Sequence, residues 1–164
     1  MRAIAVFNQR VHGVVEFYQH SPNHKTHIRF KLSGLDPFWN HACHVHTYGD
    51  MSDGCNSACD HYNPKGRRHG SMYIKTMGND RHVGDLCNNL RANASGMCDF
   101  EYDDDLLDLY GHDSVIGRMV VIHDGPDDMG MFRDQKSTRG QNSGKTGNAG
   151  ARIDCAVIGH AKVN

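Results

Sequence analysis

Short runs of β-branched and aromatic residues recur along the chain, and each run has the length of a β-strand. They cover residues 3–7, 14–18, 27–32, 97–102, 115–122 and 153–158. Turn residues such as Ser33-Gly34 and Ala94-Ser95-Gly96 separate them. No apolar repeat is sustained at the spacing of a helix. The pattern predicts an all-β fold, either a sandwich or a barrel.

Two long segments interrupt the strand pattern, at about residues 47–82 and 124–150. Both are poor in aliphatic residues and rich in Gly, Asp, Asn and Ser. Loops of this length are uncommon in a compact domain unless they have a function or are disordered. The 164 residues match the size of one domain, without an internal repeat or a dividing linker. We therefore expect a single domain over residues 1–164 with two functional loops.

Composition narrows the classes of function and location. Lys and Arg number 18 against 19 Asp and Glu, which gives a net charge of −1 and no general attraction to nucleic acid. The apolar start of the chain is too short for a signal sequence, and no run approaches the ~20 apolar residues of a membrane span. We expect a soluble, cytoplasmic protein with no membrane partner, whose six cysteines are thiols or metal ligands.

The segment His41-Ala-Cys-His-Val-His46 introduces the candidate chemistry. Alternate side chains of a strand share a face, so His44 and His46 project together while Val45 points into the core. Alone, this pair is more typical of two partly buried or surface histidines than of a metal site. Further candidate ligands, however, are His61, His69, His82, Asp85 and His123. Imidazole suits copper and zinc, and a carboxylate beside three imidazoles suits zinc, so we expect the seven side chains to converge if the first loop folds back on the sheet.

A series of motifs, in one order over nearly the whole chain, resembles the copper/zinc superoxide dismutases. The motifs are His44-Val-His46, Gly49-Asp50, Gly54-Cys55, His61-Tyr-Asn-Pro64, His69-Gly70, Arg81-His-Val-Gly-Asp-Leu86, Ile116-Gly-Arg118, Val121-Ile-His123, Gly147-Asn-Ala-Gly-Ala-Arg152 and Cys155-Ala-Val-Ile-Gly159. The resemblance implies an eight-stranded, immunoglobulin-like Greek-key β-barrel or sandwich. It also implies dismutation of superoxide to dioxygen and hydrogen peroxide.

The same resemblance assigns the candidate ligands to two metal ions. Copper would be held by His44, His46, His61 and His123, and zinc by His61, His69, His82 and Asp85. His61 would then bridge both metals and take up a proton when copper is reduced. Asp127 would join a copper histidine to a zinc histidine and fix both rings. His41 would be a buried structural histidine.

The resemblance also pairs Cys55 with Cys155 in a disulfide, an exception to the expectation of free thiols. Closing a loop of about a hundred residues would contribute roughly 4–5 kcal/mol of stability in the chain-entropy model. The alternative is a zinc site built on Cys55 and Cys59, although no second close pair completes four cysteine ligands. Strand-like contexts indicate buried free thiols at Cys43, Cys87 and Cys98.

The resemblance also implies that two cationic side chains act on the anionic substrate, superoxide. Arg152 would sit beside the open copper position and bind superoxide, and Lys145 would steer it. The second loop has a surplus of positive charge between residues 131 and 146, with Arg133, Lys136, Arg139 and Lys145 against Asp134. Arg152 and His61 are thus the expected catalytic residues.

The implied partners are superoxide, a second copy of the chain in a homodimer and, as a candidate metal donor, a copper chaperone. The dimer expectation comes from Tyr48-Gly49, Ser114-Val-Ile-Gly117 and Val157-Ile-Gly159. The alternative function is a non-catalytic copper/zinc-binding or copper-chaperone-like domain. A structural histidine-rich β-sandwich leaves the Gly-Arg-Cys ending unexplained. The full ligand set and Arg152 favour the enzyme.

Overall fold

The computed structural model describes residues 1–77 and 79–162, and in that part of the chain it contains eight β-strands and one α-helix. The strands are β1 (Arg2–Asn8), β2 (His12–Gln19), β3 (Thr26–Ser33), β4 (Asn40–His46), β5 (Asp85–Arg91), β6 (Cys98–Asp104), β7 (Met119–His123) and β8 (Arg152–His160). Helix α1 covers Thr138–Thr146, and a short 3₁₀-helix covers Asn56–Ala58. The all-β prediction is confirmed.

The strands form one antiparallel sheet in the order β5-β4-β7-β8-β1-β2-β3-β6. The two end strands, β5 and β6, approach each other, so the sheet curls into a nearly closed Greek-key barrel. Alternate residues face inward, and Phe17, Ile28 and Phe30 are among the side chains that fill the interior. Strand β4 lies between β5 and β7, which places its histidines at the centre of one side of the barrel.

The predicted strand over residues 115–122 is wrong in its first half. The chain turns there, since the Arg118 N–H donates to the Val115 carbonyl and Gly117 has a φ of +82°. Strand β7 begins only at Met119. Strand β5 was not among the predicted runs, because polar Asn88 and Asn89 interrupt its apolar pattern.

The first long loop connects β4 to β5 and is held against the barrel at its middle and at its end. The Tyr62 N–H donates to the Val45 carbonyl (2.8 Å), and the Val45 N–H donates to the Gly84 carbonyl (2.9 Å). An isolated bridge pairs His61 with His46. These main-chain contacts bring the loop histidines to the outer face of β4.

The second long loop contains helix α1, which the hydrophobic pattern did not predict. The Ser137 side chain caps its N-terminus by accepting from the Gly140 N–H, and Gly147 ends it in the left-handed conformation. Only Gly140 and Ser143 of the helix are buried, so the helix has no apolar stripe to detect. In the part of the chain described, no helix is long and apolar enough to cross a membrane.

Candidate metal centre

Four buried histidines meet on one side of the barrel. His44 and His46 project from β4, His123 ends the adjacent strand β7, and His61 arrives from the first loop. One ring nitrogen from each lies within 4.8 Å of the other three. The structure therefore brings together all four residues that the sequence assigned to copper.

One nitrogen of each of these rings is held by the protein. His44 Nε2–H donates to Asp127 Oδ2 (2.6 Å), and His46 Nδ1–H donates to the Cys59 carbonyl (2.7 Å). His61 Nδ1 contacts Asp85 Oδ1 (3.0 Å), and His123 Nδ1–H donates to the Gly150 carbonyl (3.2 Å). These contacts fix the orientation of every ring.

The opposite nitrogen of each ring is buried and has no hydrogen-bond partner within residues 1–77 and 79–162. The four atoms are His44 Nδ1, His46 Nε2, His61 Nε2 and His123 Nε2. A buried polar atom left unpaired costs about 1–3 kcal/mol, so four in one place need a common partner. Four imidazole lone pairs directed at one point suit a copper ion. The residues present therefore fit the metal that the sequence predicted.

A second cluster forms around the carboxylate of Asp85. Its Oδ1 lies 3.0 Å from His61 Nδ1, 2.8 Å from His69 Nδ1 and 3.2 Å from His82 Nδ1. Three imidazole nitrogens around one carboxylate oxygen match the donor set of a tetrahedral zinc site. The group of four in this region whose ligand atoms lie within 4.8 Å of one another contains His44 with His61, His69 and Asp85, and does not include His82.

Asp127 connects the two clusters through the outer nitrogens of two histidines. Besides His44, its carboxylate accepts from His69 Nε2–H (2.8 Å, to Oδ1). Gly147 leaves room for this contact, because a Cβ there would come within 2.0 Å of Asp127 Oδ1. Asp127 thus contacts one histidine of each cluster, as the resemblance implied.

Sequence reasoning missed three positioning residues. Asn88 Nδ2–H donates to Asp127 Oδ2 (2.9 Å), and Asn89 Oδ1 accepts from the Asp127 N–H (2.8 Å). Buried Arg81 donates to the Asp85 carbonyl (2.7 Å) and forms an ion pair with Asp104 (2.9 Å). The available signal was the pair of asparagines in a barrel strand, where polar side chains need a specific partner.

His41 is fully buried and does not face either cluster. Its Nδ1–H donates to the His123 carbonyl (2.8 Å), and its Nε2 accepts from the Asp36 N–H (3.1 Å). Both ring nitrogens are thereby satisfied, as expected for a structural histidine.

Burial and charge divide the site into a neutral half and a charged half. Burial lowers the pKa of His61 to about 3 and that of His123 to about 4. Burial also opposes a charge on His69, but Asp85 and Asp127 outweigh it and raise the pKa of that ring to about 10. The pKa of Asp85 lies well below its usual value because the neighbouring histidines outweigh its burial. Neutral rings and ionised carboxylates are the forms that bind metals, so His69 would release its Nδ1 proton on binding zinc.

Arg152, the first residue of β8, lies at the edge of the histidine cluster. Its Nη1–H groups donate to the carbonyls of Cys55 (2.6 Å) and Asn56 (3.1 Å), and Nη2–H donates to that of Cys59. Its charge contributes, after burial, to the low pKa of His46. The guanidinium is therefore held in place while remaining partly exposed.

The predicted disulfide between Cys55 and Cys155 is present and ties the first loop to β8. The alternative of a zinc site on Cys55 and Cys59 is thereby wrong, since Cys55 is already bonded. Among the described residues the remaining cysteines are free: Cys43, Cys87 and Cys98 are buried, and Cys59 is exposed.

The surplus of positive charge in the second loop is partly neutralised. Arg133 pairs with Asp80 (2.9 Å) in the first loop, and Arg68 of the first loop pairs with Asp134 (2.6 Å). Lys145 remains exposed in the last turn of α1 and lines a cavity whose wall includes His61. Counting charges along the sequence thus overstated the free charge of this loop.

Comparison with known proteins agrees with the geometry. The family model described as copper/zinc superoxide dismutase matches residues 11–158. A Cu-Zn superoxide dismutase of Paramecium bursaria Chlorella virus 1 is 44% identical over 162 residues, which cover 99% of this chain and 80% of that protein. Similar matches come from Schizosaccharomyces pombe (40% over 163 residues, 98% and 99% of the two chains) and Neurospora crassa (42% over 161 residues, 97% of each). Both of those relatives also carry the name Cu-Zn superoxide dismutase.

Proposed function

The chain belongs to the copper/zinc superoxide dismutase family, and from this membership we propose how its own residues carry out the dismutation of superoxide to dioxygen and hydrogen peroxide. The observation that carries the proposal is the set of four buried imidazole nitrogens without partners. Copper and zinc are the cofactors of the family.

The proposed ligands follow from the two clusters. Copper would be held by Nδ1 of His44 and by Nε2 of His46, His61 and His123. Zinc would be held by Nδ1 of His61, His69 and His82 and by Asp85 Oδ1. We keep His82 in the zinc set because its Nδ1 approaches Asp85 Oδ1 to 3.2 Å, while His44 Nε2 is already bonded to Asp127.

When bound, copper supplies one-electron redox chemistry, whereas zinc has none and supplies charge and structure. The protein positions the anion and manages the protons. Arg152 binds superoxide through the exposed part of its guanidinium, since three carbonyls hold the group beside the cluster. Two superoxide anions and two protons give one dioxygen and one hydrogen peroxide, and we place one of these protons, taken from solvent, at His61 Nε2 before its transfer to the product.

Asp127 has a positioning role in this proposal. By accepting from His44 and His69, its carboxylate orients one ring of each metal set. Lys145 attracts superoxide towards the cavity beside His61.

The alternative, a domain that binds copper and zinc without catalysis, is not favoured by any feature of the site. Such a domain needs the ligands but not a tethered cation beside them. Three hydrogen bonds to main-chain carbonyls hold Arg152 beside the ligands.

We further propose a homodimer formed through the face that contains Tyr48 and Val157. These side chains are 56% and 37% exposed, and neighbouring Gly49 packs on the Gly117 carbonyl. Exposed apolar side chains grouped in this way are typical of an interface. Sedimentation should give twice the chain mass of 18.3 kDa, and a single-chain mass would contradict the dimer.

A cytoplasmic location and a copper chaperone as metal donor complete the proposal. The four free cysteines among the described residues favour a reducing compartment, and the disulfide between Cys55 and Cys155 is the exception to that pattern. Copper loading of the zinc-bound protein with and without a chaperone from the source cell would test the second point.

Metal analysis of single-ligand variants tests the proposed site. His46→Ala should lose copper and retain zinc, because His46 contributes to the copper set alone. His82→Ala should lose zinc preferentially. His20→Ala, an exposed histidine outside both clusters, is the control and should retain both metals. Equal loss of both metals in both ligand variants would contradict the assignment, and reconstituted wild type that holds only zinc would overturn the dual-metal site.

A further inference from the structure

A cavity of about 480 Å³ opens between the two long loops, next to the metal clusters. Its lining includes His61 and His82, and we call the charged residues of this lining the rim: Asp60, Arg67, Arg68 and Lys145. The His69 N–H donates to the Gly144 carbonyl (2.9 Å), which joins the two loops beside this rim. Charged groups from both loops therefore line the same cavity as the shared histidine.

Two of the rim cations have no counterion within the described ranges 1–77 and 79–162. Arg68 is bonded to Asp134 (2.6 Å) and faces Asp80 (3.8 Å), so its charge is largely matched. The guanidinium of Arg67 and the ammonium of Lys145 are exposed and form no ion pair or side-chain hydrogen bond there. Asp60 is the opposing carboxylate on the rim. Two unmatched cations thus face one carboxylate, and Arg67 gives the cavity its positive sign.

The loop holds the main chain of Arg67 in a fixed place. Its N–H donates to Asn63 Oδ1 (2.9 Å), and Asn63 Nδ2–H donates to its carbonyl (2.8 Å). Gly66 supports the turn with a φ of +61°. The side chain of Arg67 lines the cavity together with that of Lys145.

We infer that Arg67 is a second guiding cation for superoxide, acting from the first loop opposite Lys145. Charge steering is already an established property of superoxide dismutases, and the new element is this residue. The inference rests on the proposed function. Arg67 contacts neither cluster in the described structure and is therefore a residue that guides the substrate, not a metal ligand.

The test compares second-order rates of superoxide decay for the copper- and zinc-loaded wild type and Arg67→Gln. A unit charge about 10 Å from the anion changes its local concentration by roughly twofold in water, so the variant should be about twofold slower at low ionic strength. At ~1 M salt, where the screening length is ~3 Å, the two rates should converge. Arg67→Lys should restore most of the low-salt rate, since it keeps the charge.

Arg2→Gln is the matched control, because Arg2 is a cation that lines a separate cavity bordered by β1, β2 and β3. It changes the net charge of the chain equally and should leave the rate nearly unchanged. An equal loss in Arg2→Gln would mean that net charge alone matters and would overturn the inference. So would a wild-type rate in Arg67→Gln at low salt, or a deficit that persists at ~1 M salt.

Failure of the inference can be told from failure of the proposed function. If the loaded wild type is active and salt-dependent but Arg67→Gln matches it, only the role of Arg67 is wrong. If the loaded wild type does not accelerate superoxide decay at all, the function and the inference fail together.

Discussion

Replacing Asp127 with Asn tests whether one carboxylate organises both metal sets. The carboxylate accepts from His44 Nε2–H (2.6 Å), His69 Nε2–H (2.8 Å) and Asn88 Nδ2–H (2.9 Å). Asn has the same shape but only one accepting oxygen, so one histidine would face an NH₂ group. At least one charge-assisted bond is lost and the other is weakened.

Loss of such a contact to a ligand ring typically costs 10–100-fold in metal affinity, which corresponds to about 1.4–2.8 kcal/mol. We expect Asp127→Asn to weaken binding of both metals within this range, because it touches one histidine of each set. Chelator competition with metal-specific indicators measures both affinities.

Asp128→Asn provides the matched control. Asp128 accepts from Ser143 Oγ–H (2.8 Å) and Asn148 Nδ2–H (2.6 Å) and touches no histidine. It removes the same charge one residue away and should leave both affinities near wild type. Unchanged metal affinities in Asp127→Asn, or equal losses in the two variants, would show that Asp127 does not position the ligand histidines.

Three further predictions concern substrate binding, the disulfide and pH. Arg152→Ala should retain both metals but decompose superoxide at least about tenfold more slowly and with a weaker salt dependence, and Arg152→Lys should recover part of the rate. Pulse radiolysis at matched copper occupancy measures these rates, and equal rates at all ionic strengths would remove Arg152 from the mechanism. Replacing Cys55 and Cys155 with Ala removes a link across a sequence separation of 100 and should lower the free energy of unfolding by about 4–5 kcal/mol in urea titrations. A loss below ~1 kcal/mol would contradict the chain-entropy model. In the metal-free protein the pKa values of His61 (about 3) and His123 (about 4) lie below the ordinary 6.5, so the unfolded chain binds more protons than the folded protein as pH falls from about 6.5 towards 4. The free energy of unfolding from urea titrations should therefore fall over that window by up to about 1.4 kcal/mol per pH unit for each ring, and a free energy that rises on acidification would contradict this.

Part of the site follows directly from strand geometry. Alternation along β4 places His44 and His46 together, and this needs only the two-residue period of a strand. The partners of that pair were expected through family resemblance. No local rule gives the path of a long loop, and the contact of His61 with His46 depends on main-chain bonds between the loop and the barrel.

Two features of the second loop that the sequence pattern did not predict depend on polar contacts. Helix α1 depends on caps at Ser137 and Gly147, so a search for apolar periodicity passes over it. The ion pair between Arg133 and Asp80 joins residues 53 positions apart, which a count of loop charges treats as free. Long-range polar contacts are thus what the sequence pattern leaves unspecified.

The most direct test of the central claim is the decay of a superoxide pulse followed spectrophotometrically in the presence of the copper- and zinc-loaded protein. We expect decay that is first order in enzyme, scales with copper occupancy and disappears in zinc-loaded protein prepared without copper. Decay at the spontaneous rate in the fully loaded protein, or equal acceleration by the copper-free form, would contradict that claim.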